Sequence, residues 1–404
     1  MAHDGAGYAA TGDRPVGELR CEVLPGIAAL GEAEWCRLFP DEGEGWTYYR
    51  AVETKPPPGF RFEALAVRDG LGRLVGAAPL FHIVYRLDTP LQGRLRPLGD
   101  WLHRMMPRVV AHPVLGIGSP LTDRCHLGID PALDPVGRQA VVEVMLRALD
   151  EKAKAEGIRI LAVKDLADRE AGDIHPALRH AGFSRIAGLP VCVLDLPFKD
   201  EAAYIQSLSA NNRSVLRRKL KTAGAVELET VTSIDGLEDE IFSLYEETRA
   251  NSRFDYGDFE QLTPAYFRDV VAALGAERAA VILARVEGRL LAMKLLFIEK
   301  ERIIDKFWGM RYPDGRNHNL FFVCWMEGVR FALGHGVRQY QSGQTAYAQK
   351  VKLGSHLDPM WVYFRHRWPL VNRIFRRVAP MIAFDKMDPE LQDIRAREKA
   401  ADNA

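Results

Sequence analysis

FEALAVRDGLGRLVGAAPLFHIVY, residues 62–85, is a pair of apolar runs joined by Asp69-Gly70-Leu71-Gly72. Glycine and aspartate accept the positive φ angles that a tight reversal needs, so the stretch reads as a β-hairpin. A comparable stretch, AVILARVEGRLLAMKLLFIEK, fills residues 280–300 with Glu287-Gly288 at its turn. The triplet Gly72-Arg73-Leu74 recurs as Gly288-Arg289-Leu290, a displacement of 216.

The segments after the two hairpins also match each other. Residues 136–156 have helical periodicity, stop at Gly157 and lead into an apolar strand, Ile158–Val163. Residues 320–335 are helical as well, Gly336 is placed to cap them, and Val337–Gln341 is a strand. Hairpin, helix, glycine and strand in the same order twice indicate an internal duplication. Between the copies, Pro190–Leu196 reads as a strand, and one long helix is expected from Asp200 to Ala223. Helices are also expected over Leu237–Ser252 and Pro264–Leu274.

The pattern predicts a mixed α/β (α+β) architecture of two tandem units with a cleft between them, a favoured place for a ligand. The expected division is a flexible N-terminus over 1–17, a first unit over 18–190 and a second over 191–385. A charged tail, frayed or disordered, takes 386–404.

Composition bounds the function. With 404 residues, 47% of them hydrophobic and 27% charged, the chain is an ordinary globular sequence long enough for two cores. Lys+Arg 54 equals Asp+Glu 54, which excludes a polybasic protein that holds nucleic acid by overall charge. The five cysteines form no CxxC pair and the eleven histidines no HExxH, so no metal is expected and the thiols read as reduced and inert. The first 17 residues lack the apolar core of a signal peptide, and no window holds the about eighteen apolar residues of a membrane span. A cytoplasmic protein is expected.

Three stretches carry polar chemistry. In LSANNRSVLRRKLK, residues 208–221, helical spacing puts Arg213, Arg217 and Lys221 on one ridge with Asn212 before it. The ridge is either a phosphate-binding surface or a solvated face with Leu208, Val215, Leu216 and Leu220 turned inward. In residues 303–319, a strand bearing Asp305, Lys306 and Trp308 runs into a loop that opens a helix near Asn317 or Asn319. A helix N-terminus suits a phosphate or carboxylate, and either asparagine also serves as a simple N-cap. If the strand is regular, Asp305 and Lys306 point to opposite faces. The third stretch, residues 341–356, is dense in hydroxyls, amides and cations: Ser342, Gln344, Tyr347, Lys350 and Lys352.

GVRQYQSGQTAYAQKVKLGSHLDP, residues 336–359, resembles the C-terminal signature of FemAB-like proteins, the branch of the GNAT superfamily with two tandem acyltransferase folds. Gly343, Lys350, Lys352, Gly354 and Pro359 fit it. The basic helix of residues 208–221 is similar to the one that opens the second fold in that group. Residues 107–124, with GIGSPLTDR, are similar to the matching part of the first fold. The resemblance covers roughly residues 20–375 and implies two tandem GNAT-like domains.

It also implies acyl or aminoacyl transfer to an amine, without a covalent enzyme intermediate. The donor it implies is acyl-CoA, with aminoacyl-tRNA as the alternative. The Gln/Arg-x-x-Gly-x-Gly/Ala loop of simple GNAT proteins is not matched by Arg311–Arg316, and the long paired-helix arm of the peptidoglycan-bridge enzymes is not evident. Under this resemblance Asp305 or Glu247 is the base. Tyr347 protonates the leaving group or positions the acceptor. Lys350 and Lys352 neutralise a phosphate, and Asn212, Arg213 and Arg217 contact the donor. Trp308, Asn319, Ser342 and Gln344 complete the binding set. The acceptor is an amino sugar, an amino acid or a lipid-linked envelope precursor. A non-catalytic binding protein of envelope assembly is the reading from another class.

Residues 365–384, RHRWPLVNRIFRRVAPMIAF, alternate apolar residues with Arg373, Arg376 and Arg377. They read as a terminal helix docked on the core or as a basic amphipathic helix at the inner face of a membrane. Pro369 and Pro380 limit it to roughly ten residues.

Overall fold

Each hairpin turn forms where the sequence supplies its geometry. Glu287 (φ 50) and Gly288 (φ 76) both take positive φ, as a two-residue turn requires. In the first hairpin only Gly72 does (φ 76), and the Asp69 carboxylate closes the turn by accepting from the Leu71 and Arg73 N–H groups.

The computed structural model describes residues 18–86, 101, 104–105, 111–252, 262–378 and 388–402. The expected flexible segment 1–17 and much of residues 87–110 lie outside them. The first half supplies β1 (Arg20–Leu24), β2 (Arg61–Arg68), β3 (Leu74–Arg86), β4 (Ala111–Ile117), β5 (Gly128–Ile129), β6 (Ile160–Ala167) and β7 (Ser184–Ala187). The second supplies β8 (Val191–Asp195), β9 (Glu227–Val231), β10 (Ala279–Val286), β11 (Arg289–Ile298), β12 (Arg302–Met310), β13 (Gln339–Gln341), β14 (His356–Asp358) and β15 (Met360–His366).

Two mixed sheets result, ordered β1-β2-β3-β4-β6-β15-β7 and β9-β10-β11-β12-β13-β8-β14, with β5 on the side of β3. Each is an antiparallel meander that turns parallel at one place, β4 with β6 and β12 with β13. In both sheets the next strand comes from a distant part of the chain. β15 sits between β6 and β7, and β8 sits between β13 and β14. The expected second unit, 191–385, therefore does not hold together: Met360–His366 is a strand of the first sheet.

Helix Pro135–Ala155, with Asp134 as N-cap, covers one face of the first sheet. Helix Leu320–Gly334 covers the second sheet. A third core lies between the units, where Tyr48 and Tyr266 share a hydroxyl contact of 2.8 Å and pack with Phe297. The sheets are thus joined by one crossing strand, β15, and a common core. The long helix expected over 200–223 is two helices, Glu201–Ser207 and Ala210–Lys221. Leu208 is extended (ψ 150), and the Ser209 side chain starts the second by accepting from Asn212 N–H. The described part of the expected tail, residues 388–402, is mostly helical. Helix Pro389–Asp402 docks Leu391 and Ile394 against Leu189, Cys192 and Tyr347, and Glu390 accepts from Ala348 N–H (3.0 Å).

A candidate active cleft between the units

Parallel pairing of β12 with β13 stops at Ile304–Gln341, while β12 runs on to Met310. The strands part there, and a cleft of about 1170 Å³ opens, lined by both halves of the chain. At the same point the pairing of β12 with β11 slips: Leu295 faces Phe307 but Leu296 faces Asp305. Lys306 is the extra residue of a β-bulge, so it and Asp305 do not take the opposite faces of a regular strand. Both are buried and both reach the cleft wall.

Asp305 is held by two donors. Lys294 Nζ on β11 lies 2.6 Å from its Oδ2, and the Tyr340 hydroxyl on β13 donates to the same oxygen at 3.0 Å. Lys294 also reaches Tyr340 Oη (3.0 Å), with the rings of Trp308 and Trp325 5.5 and 5.8 Å from its ammonium. The second oxygen, Asp305 Oδ1, is buried and has no hydrogen-bond partner among the described residues.

Lys306 serves the join between the units. It pairs with Glu44 and, at 3.2 Å, with Asp123, both from the first half. Burial alone would strip its proton, and the two carboxylates outweigh burial, holding the ammonium above its usual range. Burial raises Asp123 less than Lys306 and the Gln341 amide lower it, so it stays below the ordinary carboxylate range. For Glu44 burial wins and its pKa is raised.

Lys350, in helix Tyr347–Lys352, is buried and donates to the Ser342 carbonyl; burial pushes its amine below the usual lysine range. Ser342 Oγ nearby is buried without a partner. The cleft lining also includes Asn211, Asn212, Lys219, Arg316 and the first turn of helix Leu320–Gly334, with Phe321 and Phe322.

Of the expected site residues, Asp305, Asn212, Trp308, Ser342, Gln344, Lys350 and Lys352 line the cleft. Five do not. Glu247 is committed at both oxygens, to the Arg311 guanidinium (2.9 Å) and to Tyr312 N–H (3.0 Å). Tyr347 is a core residue whose hydroxyl donates to the Pro190 carbonyl. Arg213 caps the preceding helix through the Gln206 and Leu208 carbonyls. Arg217 is exposed, because residues 211, 212, 215, 216 and 219 form the cleft side of that helix and the ridge of 213, 217 and 221 falls opposite. Asn319 (φ 50) stands at the N-cap but makes no cap bond with its side chain, which donates to Thr222 Oγ1. Lys294, Tyr340, Asp123 and Lys219 were not anticipated, and Lys306 was singled out without a role.

No part of the cleft is built around cysteine. Cys125, Cys192 and Cys324 are buried, and burial raises all three thiols, Cys192 to about 11. Among the described residues one group could bring three metal ligands together: Glu63, His82 and Glu156, whose ligand atoms lie within 4.8 Å. Arg61 and Lys152 already balance its charge, and it is outside the cleft lining.

The sequence matches the FemAB-like family, described as peptidoglycan biosynthesis/recognition, over residues 127–376. The chain belongs to this family. No curated protein matches it. Among solved structures it is similar to FemX, with 15% identity and a TM-score of 0.52 over 81% of this chain and 93% of that one. It is also similar to a tandem GNAT protein from the clavulanic acid biosynthesis pathway, at 15% identity and a TM-score of 0.50, over 87% of this chain and 99% of that one. At that identity the likeness establishes the fold: two tandem GNAT-like domains, as the family resemblance implied. No helix among the described residues is long and apolar enough to cross a membrane.

Proposed function

We propose that the chain is an N-acyltransferase that moves an acyl group from a CoA-type thioester to an amine held in the cleft. Asp305 carries this reading. Its Oδ2 is fixed by Lys294 and Tyr340, while Oδ1 is buried and unpartnered. A buried anionic oxygen left without a donor is costly, and an acceptor ammonium supplies the missing donor. Transfer of its proton to Asp305, directly or through water, leaves the amine lone pair free to attack. A C–N bond then forms, the thioester C–S bond breaks, the attacking nitrogen's second proton leaves with the thiolate as thiol, and the proton taken by Asp305 passes to solvent. Lys294 and Tyr340 are positioning residues for the carboxylate. Lys219, Arg316 and the adjoining helix N-terminus suit the donor phosphates, with Lys352 supplying a further cation on the cleft wall. Lys350 and Ser342 offer donors within the cleft. The family description favours an envelope precursor as acceptor, either a small amine or a lipid-linked one.

The test is thermal stability against acyl-CoAs, free CoA and aminoacyl-tRNA, followed by thiol release with a panel of amines. A native-state ligand at about 100 times its Kd adds about 2.7 kcal/mol. Asp305→Asn should lower kcat/KM by roughly 10²–10⁴ per folded molecule, the range of a general base. Tyr340→Phe, which keeps the ion pair, should cost far less. Silence towards CoA with a response to charged tRNA would replace the donor. Silence towards both, with an amine ligand retained, would leave a binding protein of envelope assembly.

A further inference from the structure

At one end of the first sheet several strand termini meet. Arg86 of β3 pairs with Ala111 of β4, and Ile160 of β6 pairs with both Val114 of β4 and His366 of β15. The chain leaves β15 there and forms the helix Pro369–Val378. Asn372 and Phe375 fix its docked side. The Asn372 amide donates to the Gly182 carbonyl and accepts from His366 N–H, both at 3.0 Å, and Phe375 packs on Phe364 and His366.

Leu370 and Ile374 fall on the side of the helix turned away from it, and are 77% and 59% exposed. Trp368 and Val84, at the ends of β15 and β3, are 52% and 56% exposed at the same end of the sheet. Arg373, Arg376 and Arg377 take the next arc of the helix, exposed and in no ion pair among the described residues. By contrast, Arg365 and Arg367 are spent on Asp150. There is no carboxylate between Met360 and Val378. The reading of this helix as simply docked on the core therefore holds for only one of its sides.

We infer that this face is the seat of the chain on an anionic phospholipid bilayer. An apolar arc left in water and bordered by unpaired guanidinium groups matches a surface of negative headgroups over hydrocarbon. The cleft adds a consequence. Tyr85, Val114, Ile160, Phe364 and Phe375 line its apolar end, so a seated chain holds that end against the hydrocarbon boundary. An acceptor with a lipid tail can then reach Asp305 while its tail stays in the membrane. That consequence rests on the transferase reading; the docking does not.

The test uses the full chain without substrate, in co-sedimentation with vesicles of phosphatidylcholine alone or mixed with phosphatidylglycerol. Binding is expected to the mixed vesicles and to fall steeply with salt. Replacing Arg373, Arg376 and Arg377 together by Gln should weaken it roughly 100-fold, about fivefold per cation withdrawn from the surface. Leu370→Gln with Ile374→Gln should also release the chain, whereas Val136→Ser, an exposed apolar residue on the helix over the other face, should not. Equal binding to both vesicles, absence of binding by the wild type, or no salt dependence would overturn the inference, whatever the variants do. So would light scattering that shows the Leu370 and Ile374 changes dissolving a dimer, or tRNA held by the wild type and lost by the arginine variant. Turnover is not read, so a failed transferase reading leaves this result intact.

Discussion

Lys306→Met tests the electrostatic join between the two units, and it needs no substrate. The Lys306 and Glu44 side chains are each 3% exposed and Asp123 is 15% exposed, so one ammonium faces two carboxylates almost out of water. Methionine keeps much of the volume and removes the only cation among the described residues in direct ion-pair contact with both. Breaking a buried ion pair by deleting one partner costs about 3–5 kcal/mol. At roughly 2 °C per kcal/mol, the lower end for large domains, the melting temperature should fall by about 6–10 °C.

The loss should depend on pH in a defined sense. In the wild type Asp123 titrates below its unfolded value, so its contribution is present above about pH 4 and lost as pH falls. Without Lys306, two buried carboxylates repel each other and burial is unopposed, which raises them in the folded state. The folded variant then binds protons that the unfolded chain has released, and its stability declines as pH rises from about 4. Scanning calorimetry at pH 5 and pH 8 should show the wild-type-to-variant gap widening at pH 8. Adding Glu44→Gln to the variant should recover part of the loss, and a double-mutant cycle gives the coupling. A gap below about 1 kcal/mol, or an equal gap at both pH values, would refute the assignment of Lys306 as the join.

Glu53 gives a second pH dependence. Burial, opposed by the Ile27 and Ala28 N–H groups, pushes its carboxyl up to about 7. A folded value above the unfolded one means that stability falls as pH rises from about 4 to 7, by at most about 3 kcal/mol. Glu53→Gln should flatten that part of the stability curve in urea titrations. Gly328→Ala places a methyl 2.8 Å from Tyr340 Cζ, so the ring must move off Asp305. The expected result is a loss of about 1–3 kcal/mol by thermal melting, together with a fall in transferase turnover. Deleting residues 388–404 exposes the seat of Leu391 and Ile394, worth about 3–5 kcal/mol before ordering entropy is subtracted. Cys192 in that seat should then react with a thiol reagent under native conditions, where the intact chain does not.

The tandem fold was legible because it is written locally and twice. The two hairpins need only alternation and a turn, and Glu287-Gly288 supplies both positive φ angles itself. The crossing of β15 to the first sheet was not legible, since MWVYFRH has the pattern of a strand but nothing in it names a sheet. Partner choice is made by tertiary packing, here by a slot between β6 and β7 that only the completed first sheet offers. The break at Leu208–Ser209 did have a signal: a serine three residues before the N–H it caps. It was hidden because the apolar spacing runs through both helices without interruption.

The site was less legible than the fold, and the reason is the bulge. A regular strand separates Asp305 from Lys306; one extra residue puts both into the wall that the two units share. Lys294 in AMKLLF looked like an isolated polar residue in a core strand, yet an unmatched lysine there demands a buried anion. That demand was a usable signal, since Asp305 is the one carboxylate within the apolar core of the next strand. The expected residues that stand outside the cleft lining differ in the opposite way. Glu247, Arg213 and Asn319 have the polarity of ligands, but each is consumed by a backbone group or a neighbour that the fold would otherwise leave unsatisfied. What separates the two sets is hydrogen-bond accounting. Asp305 keeps a buried oxygen that no group among the described residues satisfies, and that remainder is what the proposed acceptor would bind.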